Sequence, residues 1–235
     1  RLKPTPPSLE DQRDDIERLE DEINRKLTIS DISVLKDIPL VLRENDFNVE
    51  AILYEDTLLE VRKKSDRHPY GIAIDIGTTT VVVYLLDLTK GEIDVASSMN
   101  PQAKRGADVI SRIDYAIRGG LKELQDLVID EINSLIEKLC AKQRISIDDI
   151  YDVTVVGNTT MTHLFLGVPP NYIAVSPYIP VFTKPLLINA PQLGIRINPN
   201  GRCYILPNIS GYVGADTVGV ILATGLYKGD GVKLA

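Results

Sequence analysis

The sequence contains no tryptophan, only two cysteines and two histidines, and no long apolar segment. Because Cys140 and Cys203 lie far apart in the sequence, they form neither a disulfide framework nor the cysteine set that an iron–sulfur or metal site needs. The longest apolar runs, such as Val81 to Leu86, are much shorter than the roughly 20 residues that span a bilayer. No signal-peptide pattern opens the chain. These absences predict a cytoplasmic protein that does not associate with membranes.

An excess of positive charge is also absent. The 26 basic residues are outnumbered by 33 acidic residues, and the net charge is -7. This balance disfavours binding to nucleic acid, which depends on phosphate neutralisation. The 235 residues, 44% of them hydrophobic, allow one large or two small domains. The chain begins with Arg1 and ends in an apolar run at Ala235, and we expect it to be part of a longer protein.

The residues before position 70 predict a linker and a small domain. Residues 1–7 are rich in proline and predict an extended linker. Ser8 is expected to cap a helix over 9–27, and a second helix is expected to be kinked or restarted at Pro39. Alternating apolar residues then predict a β-hairpin. We therefore predict a small α+β domain over 8–66 that mediates protein contacts.

From Tyr70 the pattern becomes that of an α/β domain, predicted over 70–235. Buried or β-branched runs predict four main strands and one short one, at 70–77, 80–87, 93–98, 151–156 and 203–206. The first three strands are expected to be antiparallel and consecutive. Helical spacing predicts helices near 105–118, 121–143, 158–165 and 214–226. Residues 167–202, rich in proline and glycine, are expected to be largely irregular.

The segment Asp75 to Thr80 carries the clearest chemical signal. It lies between two predicted strands, so it is not a P-loop, which joins a strand to a helix. A hairpin tip of Gly77, Thr78 and Thr79 can direct amides and hydroxyls at a phosphate. The Asp75 carboxylate can hold Mg²⁺ against the phosphate oxygens. The alternative is a simple tight turn that Asp75 caps.

Two later strand-to-helix junctions offer similar chemistry. Asn158 and Thr159 begin the helix that follows the strand at 151–156. Gly214 begins the last predicted helix and places Asp216 in its first turn, where a carboxylate can orient an attacking water or bind a metal. The structural alternatives are N-capping by Asn158 and a favourable interaction of Asp216 with the helix dipole.

Five motifs together resemble one protein family. They are Asp75–Thr80, Met99–Ala103, Gly106–Ile113, Gly157–Met161 and Asn208–Asp216. Their order resembles the first half of an ATPase domain of the acetate kinase/sugar kinase/heat-shock chaperone/actin superfamily, and their joint pattern is similar to the reductive activators of corrinoid-dependent enzymes. The resemblance implies an α/β fold, the first half of an actin-like (ribonuclease H-like) ATPase domain. It also implies that the preceding α+β domain is that family's middle domain, by order and size.

The resemblance carries expectations about cofactors, partners and residues. It implies ATP and Mg²⁺ as cofactors, catalytic roles for Asp75 and Asp216, and a metal-binding role for Asp75. The expected nucleotide-binding residues are Gly77, Thr78, Thr79, Thr80, Asn158, Thr159 and Gly214. The expected partner is a corrinoid protein or corrinoid-dependent methyltransferase of anaerobic metabolism, whose Co(II) is restored to Co(I); a homodimer is also considered. A [2Fe–2S] cluster is expected only in a domain outside this chain, and half an ATPase domain is expected to be inactive alone.

Other functions remain open at this point. Within the same superfamily, the alternatives are an activator of radical dehydratases and a small-molecule kinase. From a different class, a nucleotide-dependent chaperone or filament protein would use ATP to change shape without moving an electron. Upstream cysteines at ferredoxin spacing would favour the activator, and a downstream substrate-binding β domain would favour the chaperone.

Overall fold

The computed structural model describes residues 1–228, and the chain divides into two compact units between Pro69 and Tyr70. The elements of the first unit are α1 (Asp15–Ile23), α2 (Ile32–Glu44), β1 (Val49–Tyr54) and β2 (Thr57–Lys63). β1 and β2 form the antiparallel hairpin that the alternating pattern predicts. Within 1–7, which the sequence predicts to be a linker, Leu2 forms an antiparallel bridge with Val49.

Helix α1 is shorter than the predicted helix over 9–27. Ser8 is not its cap, because the Ser8 hydroxyl instead accepts from the amides of a local turn at residues 10 and 11. Asp14 is the N-cap and forms a reciprocal capping box with Glu17. Asn24, in the left-handed conformation at φ 55°, ends the helix. Local capping therefore outweighs the longer apolar periodicity.

The helix α2 does not end and restart at Pro39, which was one of the two predicted effects of this proline. The helix continues to Glu44 and packs Val34, Ile38 and Leu42 into the core of the first unit. Pro39 itself is exposed, so water can satisfy the carbonyl oxygen that lost its amide partner. Burial of the apolar face holds the helix together across the proline.

The second unit is built on one six-stranded mixed sheet. Its strands are β3 (Tyr70–Ile76), β4 (Thr80–Asp87), β5 (Gly91–Met99), β6 (Ile150–Gly157), β7 (Leu186–Asn189) and β8 (Arg202–Ile205), in the spatial order β5-β4-β3-β6-β8-β7. The first three are consecutive and antiparallel, as predicted. β6 lies parallel to β3, and β8 lies parallel to β6. The carboxyl ends of β3 and β6 therefore meet at one edge of the sheet.

Four α-helices accompany this sheet: α3 (Val109–Tyr115), α4 (Leu121–Gln143), α5 (Thr159–Leu166) and α6 (Ala215–Thr224). α4 supplies most of the helical part of the core, with apolar residues such as Leu124, Val128 and Ile132 fully buried. The predicted helix over 105–118 begins later, because Asp108 caps α3 with a capping box. Gly119, at φ 101°, separates α3 from α4.

The fold class predicted from the sequence is confirmed, since the second unit is α/β with a mixed sheet. The segment 167–202 contains β7 and two short 3₁₀ turns in an otherwise irregular path. The predicted domain extends to 235, but residues 229–235 lie outside the described part of the chain. Among the described helices, none combines the length and apolarity needed to cross a bilayer.

Candidate functional site

The tip between β3 and β4 is a tight turn whose amides are available for a ligand. The Gly77 amide donates to the Thr80 carbonyl oxygen at 2.9 Å, which closes the turn. A Cβ atom on Gly77 would lie 2.8 Å from that same oxygen, so only glycine fits. Within residues 1–228, the amides of Thr78 and Thr79 have no hydrogen-bond acceptor. The tip therefore offers two free main-chain donors.

The start of α5 lies against this tip. The Asn158 side chain accepts from the Met161 amide at 3.0 Å and so caps the helix. Its Nδ2 atom donates to the Thr78 hydroxyl oxygen at 3.1 Å. Capping and contact with the hairpin are thus two simultaneous roles of one side chain.

The start of α6 packs directly on the start of α5. A Cβ atom on Gly214 would lie 2.5 Å from the Asn158 Cα atom and 2.6 Å from the Thr159 nitrogen. The buried Asn208 side chain accepts from the Ala215 amide at 3.1 Å, which fixes the first turn of α6. Two helix N-termini, each with a partial positive charge, therefore converge near the hairpin tip.

Two carboxylates lie at this convergence. Partial desolvation raises the pKa of Asp75, although its side chain is exposed, and the negative charge of Asp216 raises that pKa further. The Asp216 carboxylate accepts from the Thr217 amide at 2.7 Å. A carboxylate that lies near a second negative charge favours a cation beside it.

The donor set fits Mg²⁺ that is shared with a phosphate group. Magnesium is typically held by one or two carboxylates, with waters and phosphate oxygens completing its coordination. Asp75 and Asp216 supply that number, and the described residues contain no group of three or more acidic, histidine or cysteine ligands. A protein-only metal cage is therefore not formed by residues 1–228, whereas a metal–phosphate site is chemically reasonable.

The remaining predicted residues divide into exposed and buried positions. Thr80 is exposed where β4 begins. Thr159 is 1% exposed, and its hydroxyl donates to the Ser210 carbonyl oxygen at 2.7 Å. The Thr159 side chain is therefore used to join α5 to the 208–214 segment. Beside it, a cavity of about 260 Å³ lies between Asn158 and Tyr212.

His163 belongs to the core and not to the site. It is fully buried, its Nδ1 atom lies 2.7 Å from the Thr159 carbonyl oxygen, and its Nε2 atom accepts from the Val181 amide at 3.1 Å. The ring also stacks on Phe182. Burial lowers its pKa, so the ring is neutral and structural.

Two residues behind the hairpin escape prediction by sequence reasoning. Asn100 and Arg112 lie in the motifs Met99–Ala103 and Gly106–Ile113, which the sequence singles out without a chemical role. Both are buried, and both donate to main-chain carbonyl groups of the hairpin tip. The sequence signal that could have identified them is the presence of polar residues in these two motifs, next to segments predicted to be buried.

Known protein families match nearly the whole chain. Residues 70–229 match the family model described as the RACo middle region, and residues 1–68 match the RACo linker region. A curated relative from Eubacterium limosum, the corrinoid activation enzyme RamQ, is 34% identical over 214 residues. That match covers 88% of this chain and 36% of RamQ.

A solved structure gives a similar result. The structure described as a reductive activator for corrinoid, iron–sulfur protein superposes with a TM-score of 0.89 at 38% identity. The match covers 98% of this chain and 38% of the other, so this chain spans little more than a third of either relative. The first unit, expected to be the family's middle domain, matches the region called the linker, and the second unit matches the middle region. The chain belongs to the RACo family and contains its linker and middle regions.

Proposed function

We propose that the complete protein is an ATP-dependent reductive activator that helps restore Co(II) to Co(I) in a corrinoid protein or corrinoid-dependent methyltransferase. The observation that carries this proposal is the convergence of the hairpin tip, the starts of α5 and α6, and two carboxylates at one sheet edge. The names of two relatives, a corrinoid activation enzyme and a reductive activator for a corrinoid protein, give the reaction class.

Each residue of the site has a distinct part in the proposal. The amides of Thr78 and Thr79 bind phosphate oxygens of the nucleotide, and the α5 and α6 starts favour the same negative charge. Mg²⁺, when bound, neutralises charge that develops on the phosphates. Asp75 holds this ion, and Asp216 orients the water that attacks the terminal phosphate.

The electron comes from outside this chain in the proposal. One electron converts Co(II) into Co(I). The two cysteines, Cys140 and Cys203, are buried and free, and two thiols do not provide the ligands of a [2Fe–2S] cluster. Burial raises the pKa of Cys203 to about 12, which keeps it a thiol and disfavours metal binding. In this proposal, the second unit of the chain therefore binds the nucleotide and does not carry the electron.

The test uses the complete protein with a reductant and its Co(II) corrinoid partner. Co(I) formation is followed by the cobalt absorption spectrum, with and without Mg-ATP. We expect Co(I) to accumulate faster or further with ATP. Equal Co(I) formation with and without ATP would contradict ATP dependence, and no Co(I) in either case would contradict the activator function.

A further inference from the structure

Three consecutive carbonyl groups of the hairpin tip accept hydrogen bonds from two buried residues. The Asn100 side-chain amide donates to the Gly77 oxygen at 2.8 Å, and the Asn100 main-chain amide donates to the Thr79 oxygen at 2.7 Å. Between them, the Arg112 guanidinium donates to the Thr78 oxygen at 2.6 Å. We call Asn100 and Arg112 the backing residues. Every carbonyl of the tip thus accepts a hydrogen bond from one of these two buried residues.

This arrangement fixes where the amides of the tip point. In a trans peptide, the carbonyl of one residue and the N–H of the next point in opposite directions. The inward Gly77 carbonyl therefore directs the Thr78 amide outward, and the inward Thr78 carbonyl does the same for the Thr79 amide. These are the two amides without an acceptor in the described chain. The backing residues orient the donors that a phosphate would meet.

Arg112 is unusual because its charge is buried without a carboxylate in direct contact; the charge of Asp108 acts on it without forming an ion pair. It is 0% exposed, and within residues 1–228 no Asp or Glu forms an ion pair with it. Its nitrogens donate only to neutral acceptors: the Gly106 oxygen at 2.9 Å, the Gln102 side chain at 3.3 Å, the Met161 sulfur at 3.2 Å and the Thr78 oxygen. Burial lowers the pKa of this guanidinium, which expresses the cost of desolvating it.

A buried cation in this position favours an anion on the other side of the hairpin. The guanidinium polarises the peptide group between Thr78 and Thr79, so the Thr79 N–H becomes a stronger donor. The low polarity around Arg112 also lets its charge act over a longer distance than in water. A neutral side chain of similar size would avoid the desolvation cost but would provide neither effect.

We propose that Arg112 and Asn100 are positioning residues that hold the Gly77–Thr79 tip ready for the phosphate chain of a nucleoside triphosphate, with Arg112 supplying the buried counter-charge. This inference rests on the proposed function for its ligand, but its geometric part does not. It also explains why the motif Gly106–Ile113 accompanies the hairpin motif, since Arg112 links α3 to the tip and, through Met161, to α5.

The first test needs no ligand. The complete protein is compared as wild type, Arg112→Met, Arg112→Lys and a control, Asn133→Ala. Asn133 is also buried and also binds a main-chain carbonyl, that of Gly194 at 2.8 Å, but it lies away from the hairpin. Amide hydrogen exchange is measured at Gly77 and Asn100, whose N–H groups close the tip.

We expect exchange at these two amides to rise roughly tenfold or more in Arg112→Met, less in Arg112→Lys, and not at all in Asn133→Ala. Unchanged exchange at Gly77 and Asn100 in a folded Arg112→Met protein would overturn the positioning role. If Arg112→Met does not fold, the same comparison between Arg112→Lys and the control decides the question.

The second test measures binding of Mg-ATP, Mg-tripolyphosphate and adenosine by calorimetry. We expect Arg112→Met to weaken binding of both phosphate ligands by about tenfold or more, with adenosine affinity unchanged and Arg112→Lys intermediate. Equal weakening of ATP and adenosine would mean a general structural defect and would overturn the counter-charge role. If the wild type binds neither phosphate ligand, the proposed function and the counter-charge role both fail, while the exchange result still decides the positioning role.

Discussion

The Asn158 side-chain amide donates to the Thr78 hydroxyl oxygen at 3.1 Å and joins residues 80 positions apart in the sequence. One is in the hairpin tip between β3 and β4, and the other caps α5 at the end of β6. Because Gly214 packs on the Asn158 backbone, the same contact also fixes where α6 begins. A site built on the ends of regular elements keeps its groups in defined positions, which is the property that phosphate and metal binding require.

Removing the Asp75 carboxylate should abolish ATP-dependent corrinoid reduction. In Asp75→Ala, the metal and the transferred phosphate lose a stabilising charge, and we expect a loss of about 100-fold or more in the ATP-dependent rate. The control is Asp114→Ala, which removes an exposed carboxylate of α3 that pairs with Arg118. Wild-type ATP turnover by Asp75→Ala would show that the hairpin does not bind the phosphates.

Changing Asp216 should separate turnover from binding. A carboxylate that orients water contributes mainly in the transition state, so Asp216→Asn should lower kcat for ATP hydrolysis more than it lowers ATP affinity. Steady-state kinetics and calorimetry on the same variant check this. A loss of affinity with unchanged kcat would instead assign Asp216 to ground-state metal binding.

A methyl group at position 214 should separate the starts of α5 and α6. Gly214→Ala would place a Cβ atom 2.5 Å from the Asn158 Cα atom, and relief of that clash should cost about 1–3 kcal/mol of unfolding free energy. The matched control is Gly219→Ala in the same helix, where the new Cβ would contact only Val156, at 3.4 Å. That variant should be stabilised by about 0.5–1 kcal/mol.

Denaturant unfolding of the two variants measures this difference. Equal stability of Gly214→Ala and Gly219→Ala would mean that the two helix starts are not in the close contact described. Binding of Mg-ATP should also weaken in Gly214→Ala alone, because displacement of α6 moves Asp216.

Much of the fold can be predicted from the sequence, because apolar residues recur at different spacings in strands and in helices. The alternation in β1 and β2, the β-branched runs of β3 and β4, and the spacing along α4 each predicted an element that the structure contains. Ends of elements were harder to predict, since they depend on local capping by residues such as Asp14 and Asp108. Helix α2 persisted through Pro39 because burial of its opposite face compensates for one lost hydrogen bond.

The candidate site was predictable only in part. Asp75, the hairpin tip, Asn158 and Asp216 carry recognisable patterns at strand ends and helix starts. Arg112 does not, because its importance depends on being buried beside the Thr78 carbonyl without a carboxylate in direct contact. The burial of a side chain and its hydrogen-bond partners depend on the tertiary structure, so the spacing of apolar residues in the sequence does not predict them.

The buried neutral His163 should make the stability of the protein depend on pH. Burial lowers its folded pKa below the ordinary value of 6.5, so the unfolded state binds more protons between the two values. The stability that comes from keeping His163 neutral should therefore be complete above about pH 6.5. The free energy of unfolding should fall as the pH is lowered from 6.5 towards the pKa of the folded state. His163→Gln should remove this slope and cost about 1–3 kcal/mol through lost hydrogen bonds.

His68→Gln is the control, since it removes the other histidine but leaves His163 in place. Urea unfolding between pH 5 and pH 7.5 gives the slopes. An identical slope in His163→Gln and wild type would show that another group is responsible.

The central claim is that the Gly77–Thr79 tip and Asp75 bind the phosphates and metal of a nucleotide. The most direct measurement is a crystal structure of the complete protein with a non-hydrolysable ATP analogue and Mn²⁺ in place of Mg²⁺. The account predicts phosphate oxygens within hydrogen-bond distance of the Thr78 and Thr79 amides and an anomalous Mn²⁺ peak beside Asp75. A triphosphate bound elsewhere, with neither the tip nor Asp75 in contact with it, would contradict the account.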